Sequence, residues 1–369
     1  MTSDTQNPRF DLIGQPHPAR LLEAALRSGP SHAYLFAGPA GVGKRSAARQ
    51  FAAALCCQDD GCGVCPGCVK AARGRHPDIV TIEPAGSVIM VDQIRGINRS
   101  LNLRPHESRA RVFIINDAGS LGAEGANAFL KSLEEPPPFV YFLLVASRPD
   151  RVLPTIASRC QLVRFGQIAA AEMEEYLMGR CHVSATMAGA AARVCGGNLE
   201  LAESLLLDAE LAARRERYLG IAGALCRGAW EGGAAGMAAE IEAAASRIGE
   251  AAGAAAGESV PEGFEAATSK TRKQEAHRRA GAAQKRELVL ALGILASWFR
   301  DMLVTAAGAS GAILNTDYEN ELEDLALPSR IDSYRQALAA VENARKKLGY
   351  NIDLGLILQA MFYELMEVL

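Results

Sequence analysis

A glycine-rich segment, Gly38–Lys44 (GPAGVGK), has the residue types and spacing of a phosphate-binding loop. It follows the apolar run Ala33–Ala37, which is long enough for a buried strand. Glycines allow the backbone to aim successive N–H groups at phosphate oxygens, the start of the next helix adds positive potential, and the lysine reaches the terminal phosphates. We therefore predict a nucleotide site, with a loop kept only for structure as the alternative. The predicted phosphate ligands are Gly38, Gly41, Gly43 and Lys44.

The residues that should hold Mg²⁺ depart from the usual pattern. Arg45 follows the lysine, where a Ser or Thr hydroxyl normally ligates the metal, and Ser46 comes one residue later. A guanidinium does not ligate a cation, so either Ser46 takes over or nucleotide binds without a well-placed metal. The strand-like run Val112–Ile115 ends in Asn116 and Asp117, which leaves one carboxylate where a hydrolase presents two. ATP is thus a candidate ligand, whereas we expect a poor Mg²⁺ site and no hydrolysis by this chain alone.

Four cysteines within twelve residues form a second candidate site. Two CxxC steps share a cysteine and a further cysteine lies upstream, so four soft thiolates are available for tetrahedral coordination. Zn²⁺ is the natural occupant, and a site closed by four cysteines is structural rather than catalytic. Free thiols, a redox CxxC pair and an iron–sulfur site are the alternatives. The predicted ligands are Cys57, Cys62, Cys65 and Cys68, with Cys56 as the alternative to the first of them.

The composition of the 369-residue chain indicates a soluble protein of two or three domains. Its net charge of -3 argues against non-specific binding to nucleic acid through overall charge. No run of eighteen apolar residues occurs, and residues 1–9 lack the apolar stretch of a secretory signal. We therefore expect a cytoplasmic protein without a membrane segment, in which clustered cysteines favour metal over disulfides.

Helical patterns alternate with short apolar runs in the first half of the chain. These runs are Ala33–Ala37, Ile79–Ile82, Val112–Ile115 and Val140–Ala146. Such an alternation indicates a parallel sheet, so we predict an α/β domain over residues 1–165 with a metal module at 56–70. Helical spacing alone follows, which predicts a small helical domain at 166–208 and a helical bundle at 209–369. The Ala/Gly-rich and basic stretch 228–286 is expected to be a solvated helix or a mobile loop, with a DNA-facing surface as the alternative.

Several segments resemble bacterial clamp-loader subunits. They are Asp11–Gln15 (DLIGQ), His32–Phe36 (HAYLF) and Asn127–Pro136 (NAFLKSLEEP), followed by Ser158-Arg159-Cys160. The match runs almost without gaps from about residue 8 to 166 and continues weakly through the helical remainder. The resemblance implies an AAA+ fold, in which the α/β domain is the nucleotide-binding domain, the small helical domain is a lid and the C-terminal helices form an oligomerisation collar.

Within this family, the departures resemble the delta-prime class more than the ATP-hydrolysing gamma or tau class. The motor subunit has a hydroxyl residue where this chain has Arg45, and an Asp-Glu pair where this chain keeps one carboxylate, Asp117. It has a sensor arginine where this chain has Glu200. Arg159 is kept, and the resemblance implies that it projects across an interface to a neighbouring subunit's ATP as an arginine finger. Ser147 occupies the position of a polar γ-phosphate sensor, although a strand-end cap explains it equally well.

The resemblance also implies partners. A delta-prime subunit would assemble with gamma/tau and delta subunits, act on the sliding clamp and primed DNA through that complex, and belong to the DNA polymerase III holoenzyme without hydrolysing ATP itself. A catalytically active gamma/tau-type ATPase is the first alternative. A free-standing, zinc-stabilised DNA-binding module is another, which the acidic balance disfavours.

Overall fold

A computed structural model describes residues 10–84, 88–229, 232–258, 269–309, 312–350 and 352–369. The chain forms two compact units. The first comprises Met1–Tyr176 with Gly197–Glu200, and the second comprises Leu177–Gly196 with Leu201–Leu369. The division into three domains, with a separate lid at 166–208, stays a prediction.

The first unit is built on a five-stranded parallel sheet, which confirms the predicted α/β core. The strands, in the order β2-β3-β4-β1-β5, are β1 (Ala33–Ala37), β2 (Ile79–Ile82), β3 (Arg111–Ile115), β4 (Val140–Ala146) and β5 (Gln161–Arg164). The helices of this region are α1 (Pro16–Ser28), α2 (Lys44–Cys56), α3 (Pro66–Ala72), α4 (Val91–Ser100), α5 (Ala123–Glu134) and the short α6 (Pro154–Ala157). Because all strands are parallel, the loops that follow them meet at one edge, where binding residues collect.

The central strands are apolar because helices cover both faces of the sheet. Every residue of β1 is buried. Phe51 of α2 packs edge-on against Tyr34 of β1, with ring centroids 4.9 Å apart. On the other side, Phe129 of α5 packs edge-on against Phe142 of β4 at 5.0 Å. The contact of Phe51 fixes α2, and with it the glycine-rich loop, against the middle of the sheet.

Strand β5 was not among the predicted strands. It pairs with β1, Tyr34 lying opposite Gln161 and Ala37 opposite Arg164. Of its four residues only Val163 is buried, because β5 is the edge strand and contacts the core with one residue. A polar edge strand gives no apolar run, which is why the sequence pattern missed it.

The remaining helices confirm the predicted helical C-terminal region. They are α7 (Ala170–Cys181), α8 (Ala185–Cys195), α9 (Leu199–Leu207), α10 (Ala209–Cys226), α11 (Gly233–Glu258), α12 (Ser269–Ala306), α13 (Glu319–Leu325), α14 (Ile331–Lys347) and α15 (Leu354–Val368). In the second unit, α10, α11, α12, α14 and α15 enclose one apolar core around Trp298 and Phe299. The apolar face of α15 lies inside this core, with Ile357, Leu358 and Met361 all buried.

The Ala/Gly-rich stretch is helical on both sides of residues 259–268, which lie outside the described residues. Helices α11 and α12 approach closely where α11 has glycines four residues apart. A Cβ at Gly249 would lie 2.9 Å from the carbonyl oxygen of Ala280, and one at Gly253 would lie 3.2 Å from that of Ala276. The small residues at these contacts therefore serve helix packing, and the described parts of the stretch agree with the helical option of the expectation.

One segment of α12, Ala276–Ala306, is long and apolar enough to cross a membrane by length and composition. In its most apolar window 61% of the residues are buried within the protein. Trp298, Phe299 and Met302 in this segment are fully buried. The packing identifies α12 as the central core helix of the second unit.

Candidate nucleotide and metal sites

The glycine-rich loop connects β1 to α2 in the conformation that its glycines permit. Gly41 and Gly43 have φ angles of 71° and 87°, in the left-handed region that disfavours other residues. Helix α2 begins directly afterwards at Lys44. At the other end, the amide of Gly38 donates to the carbonyl oxygen of Ala146 at 3.3 Å, which ties the loop to the end of β4. Ser147, the next residue, therefore lies beside the start of the loop and is exposed.

A second segment closes on this loop. In the segment Gly197–Glu200, which belongs to the first unit and includes the start of α9, the amide of Leu199 donates to the carbonyl oxygen of Gly41 at 2.9 Å. The side chain of Asn198 lies so close that a Cβ at Gly41 would be 1.6 Å from its Oδ1. Gly41 is therefore required by this contact as well as by its φ angle. The sequence analysis singled out Glu200, at the position of a sensor arginine, but it missed the role of Asn198.

Lys44 is buried at the head of α2, with 3% of its surface exposed. Its Nζ donates to the carbonyl oxygen of Pro39 within the same loop. Burial lowers the pKa of Lys44 to about 8, a fall that the nearby carboxylate of Glu200 partly opposes and the charge of Arg45 slightly increases. The ammonium thus stays inside the loop, where an arriving phosphate would meet it.

The residues expected at the magnesium position form an ion-paired group instead. Arg45 Nη2 lies 3.6 Å from Oε2 of Glu83, the residue after β2, and Asn116 Nδ2 donates to Oε1 of the same carboxylate at 2.5 Å. Ser46 is not part of this group, because its hydroxyl accepts from Gln50 at 3.1 Å. A guanidinium and a neutral amide do not fit a Mg²⁺ ion, which prefers oxygen ligands and negative charge.

Asp117, the single remaining carboxylate of this strand end, is exposed and has a left-handed φ of 52°. Asn116 beside it is buried. Glu83 is the residue that sequence reasoning missed. It follows a strand next to β3 in the sheet, so the topology brings it to Asn116, but no motif marks it.

Arg159 lies between α6 and β5, at the surface of the first unit. Its side chain is 35% exposed and forms an ion pair with Glu134, the last residue of α5. The Nη1 atom also donates to the carbonyl oxygen of Thr155 at 2.9 Å. The guanidinium is therefore held in one orientation and remains accessible. Glu134 is part of the family-like segment NAFLKSLEEP, yet its pairing with Arg159 was not predicted.

The four predicted cysteine ligands come together between α2 and α3. All four sulfur atoms lie within 4.8 Å of one another. Cys57 Sγ is 3.7 Å from that of Cys62 and 3.8 Å from that of Cys65. A tetrahedron with metal–sulfur bonds of about 2.3 Å has edges of about 3.8 Å, so the cluster has the dimensions of a metal site. Cys56 points elsewhere, since its thiol donates to the carbonyl oxygen of Ala110 at 3.5 Å.

Backbone groups prepare the cluster for thiolates. The amide of Cys65 points at the sulfur of Cys62, and that of Cys68 at the sulfur of Cys65, each at 3.4 Å. Burial raises the pKa of Cys57, but backbone hydrogen bonds from Cys62 and Gly61 outweigh it and bring this pKa to about 6. Such N–H groups orient sulfur ligands and stabilise their negative charge.

Two charged residues fasten the cysteine module to the sheet. Arg109 Nε donates to the carbonyl oxygen of Leu55 at the end of α2 at 3.0 Å, and its Nη2 contacts Asp60 at 2.5 Å. Asp78, just before β2, accepts from the amides of His106 and Glu107 at 2.6 and 3.0 Å. Burial alone would raise the pKa of Asp78, but these hydrogen bonds lower it below its usual value. Arg109 thus ties the module to the α/β core at Asp60, and Asp78 fixes the loop whose Glu107 forms an ion pair with Lys70 of α3 at 2.5 Å.

Comparison with known proteins points to one family. Residues 14–169 match the family described as DNA polymerase III, delta subunit. The delta' subunit of DNA polymerase III from Pseudomonas aeruginosa is 41% identical over 140 residues, which cover 36% of this chain and 43% of that protein. The delta' subunit from Bacillus subtilis is 34% identical over 168 residues, or 44% of this chain and 51% of that protein.

Similarity extends to the other subunit class. The tau subunit of DNA polymerase III from Bacillus subtilis is 39% identical over 163 residues, covering 43% of this chain and 29% of that protein. The chain thus spans about half, or less, of the length of these relatives, and identity alone does not separate the two classes. Residues 14–169 of this chain are thus similar to the delta' and tau subunits of DNA polymerase III.

Proposed function

We propose that this chain is the delta-prime subunit of a DNA polymerase III clamp loader and completes a neighbouring subunit's ATP site with Arg159. The observation that carries the proposal is a contrast between two arginines of the first unit, Arg45 and Arg159. The guanidinium of Arg45 is paired with Glu83 where a hydrolase binds Mg²⁺, whereas Arg159 remains accessible and oriented at the surface. The chain lacks the residues for hydrolysis in cis and keeps the residue that acts in trans.

An arginine placed beside a neighbour's γ-phosphate stabilises the charge that spreads over the transferring group. Such a finger changes the rate by roughly 10³–10⁵. The ion pair with Glu134 restricts the rotamers of Arg159, so little side-chain entropy is lost when the neighbour binds. Glu134 therefore supports Arg159 as a positioning residue.

The proposal includes an AAA+ fold for the first unit, with ATP as a ligand of the loop Gly38–Lys44. The cysteine cluster holds structural Zn²⁺, because its four thiolates leave no open coordination position for chemistry. The partners of the chain are gamma/tau and delta subunits. The complex that they form contacts the sliding clamp and primed DNA, and it works in the bacterial cytoplasm. The C-terminal helices at 209–369 act as the collar.

DNA-stimulated ATP turnover by a reconstituted clamp loader tests the proposal. Arg159→Ala should remove the turnover of the adjoining site, whose rate falls by about 10³-fold or more. The matched control is Arg95→Ala, because Arg95 is also an exposed arginine paired with a glutamate, Glu124, at 3.2 Å. The control should leave turnover unchanged.

The isolated chain distinguishes the alternative. A gamma/tau-type ATPase predicts magnesium-dependent hydrolysis by the chain alone, abolished by Lys44→Ala. The delta-prime proposal predicts no such hydrolysis. Turnover by the isolated chain, or an Arg159→Ala complex as active as the Arg95→Ala complex, would overturn it.

A further inference from the structure

We propose that the loop Gly38–Lys44 binds a nucleoside polyphosphate without a divalent cation, and that the guanidinium of Arg45 bridges the phosphates to Asn116 in the metal's place. The inference deepens the proposed function, on which it depends for the identity of the loop. It assigns a ligand state to this subunit, and it gives Arg45, Asn116 and Glu83 roles that their sequence positions do not show.

The position of Arg45 supports the bridge. It is the second residue of α2, directly after Lys44, and its side chain extends to the group at the end of β2 and β3. A metal ion in an ordinary site of this kind connects the phosphates to the acidic end of β3. The guanidinium spans the same two elements and is always positively charged.

Asn116 leaves an acceptor for such a donor. Its Nδ2 is bonded to Glu83, while its Oδ1 is buried and has no hydrogen-bond partner within the part of the chain that the structure describes. The residue is 4% exposed, so bulk water satisfies this oxygen poorly. Phosphate oxygens only accept hydrogen bonds, whereas a guanidinium has five N–H donors. Arg45 can thus serve Asn116 and a phosphate at the same time.

The ion pair with Glu83 is weak enough to be exchanged. Both side chains are about half exposed and the two charged atoms are 3.6 Å apart, so solvent screens the attraction. A phosphate offers more charge and a two-pronged hydrogen-bond geometry that a guanidinium prefers. Glu83 is therefore a counter-ion that holds Arg45 until phosphate replaces it.

The charge balance disfavours Mg²⁺ in the same place. A dication would lie beside the guanidinium of Arg45, and Glu83 accepts a hydrogen bond from Asn116. Asn116 adds no negative charge, and the hydroxyl of Ser46 is directed to Gln50. A single exposed carboxylate, Asp117, remains for the metal.

Isothermal titration of the full chain with ATP and with ADP, in magnesium and then in EDTA, tests the proposal. The dissociation constants should be the same in both buffers. Arg45→Ser should weaken binding in EDTA by about ten- to a hundredfold, the loss of one charged hydrogen-bonding group, and should make binding magnesium-dependent. Glu83→Gln should strengthen binding in EDTA, because the competing carboxylate charge is gone.

Arg49→Ser is the matched control, since Arg49 is an exposed arginine one turn further along α2. It should bind nucleotide like the unchanged chain, and thermal unfolding should show all variants folded. Binding that needs magnesium, no binding of either nucleotide, or equal losses in Arg45→Ser and Arg49→Ser would overturn the proposal. If it fails while Arg159→Ala still lowers turnover of the complex, the delta-prime assignment stands without it.

Discussion

Lys44 gives the loop a pH dependence that can be worked out from its surroundings. Burial brings the pKa of Lys44 to about 8 despite the nearby Glu200, so its ammonium is largely lost above that pH in the unliganded chain. Bound phosphate favours the charged form and therefore raises this pKa. Above about pH 8, binding must take up a proton, and nucleotide affinity should fall by up to about tenfold per pH unit.

Titration of ATP between about pH 7 and pH 9.5, without magnesium, measures this effect. Lys44→Arg supplies the comparison, because a guanidinium keeps its charge throughout this range and should flatten the profile. An identical pH profile in both proteins would show that Lys44 does not contact the phosphates.

The neighbours Cys56 and Cys57 should differ sharply in metal binding. Cys57→Ser removes one of four sulfur ligands, so zinc bound per chain after dialysis against a chelator should drop markedly. Cys56→Ser is the control, because the Cys56 thiol is bonded to Ala110 and lies outside the cluster. Elemental analysis of both variants measures the difference. Equal zinc loss would contradict the ligand set.

At the scale of single residues, the motifs could be predicted and their partners could not. The sequence pattern located Lys44, Arg159 and the cysteines because each is part of a short motif. Glu83 and Asn198 come from other elements and reach the loop only through the fold, so nothing local marks them. The choice between Cys56 and Cys57 also depended on the direction in which α2 ends.

At the scale of elements, the sequence pattern predicted the strands that are buried on both faces of the sheet. β1 and β4 are apolar along almost their whole length and were placed at their observed bounds, whereas β5 buries one residue and was missed. Helical spacing predicted a bundle over residues 209–369, but it did not predict the break between α14 and α15. Apolar periodicity reports the buried face of a helix and is less informative about its ends.

One loop of the second unit depends on a buried carboxylate. Asp301 of α12 has no exposed surface and accepts from the amides of Leu314 and Asn315 at 2.9 and 2.7 Å. It also accepts from Asn315 Nδ2 at 2.8 Å. Asp301→Ala leaves these buried donors unpaired and should lower the free energy of unfolding by about 3–5 kcal/mol.

Urea unfolding followed by circular dichroism measures this change. Asp324→Ala is the control, because Asp324 is an exposed carboxylate on α13 and its loss should cost less than about 0.5 kcal/mol. If Asp301→Ala unfolds at the same urea concentration as the control, water has replaced the carboxylate in the loop.

On the scale of the whole molecule, the N-terminal part of the chain has a sequence that matches a known family. The sequence of the C-terminal helices is restricted mainly by the packing of their apolar core. The family match covers residues 14–169, which contain the glycine-rich loop, the cysteine cluster and Arg159. The helical core around Trp298 requires apolar residues at helical spacing, a condition that many sequences meet. Class and helical content were therefore predictable there, while the close contact of Gly249 with Ala280 was not.

The glycine-rich loop is held from three directions before any ligand arrives. The end of β4 bonds to Gly38, Leu199 donates to Gly41, and a Cβ at Gly38 would lie 2.3 Å from the carbonyl oxygen of Phe165. A loop so restrained has already lost most of its conformational freedom on folding. Preorganisation of this kind removes an entropic cost from binding. The loop should therefore bind its ligand fast and change its own conformation little.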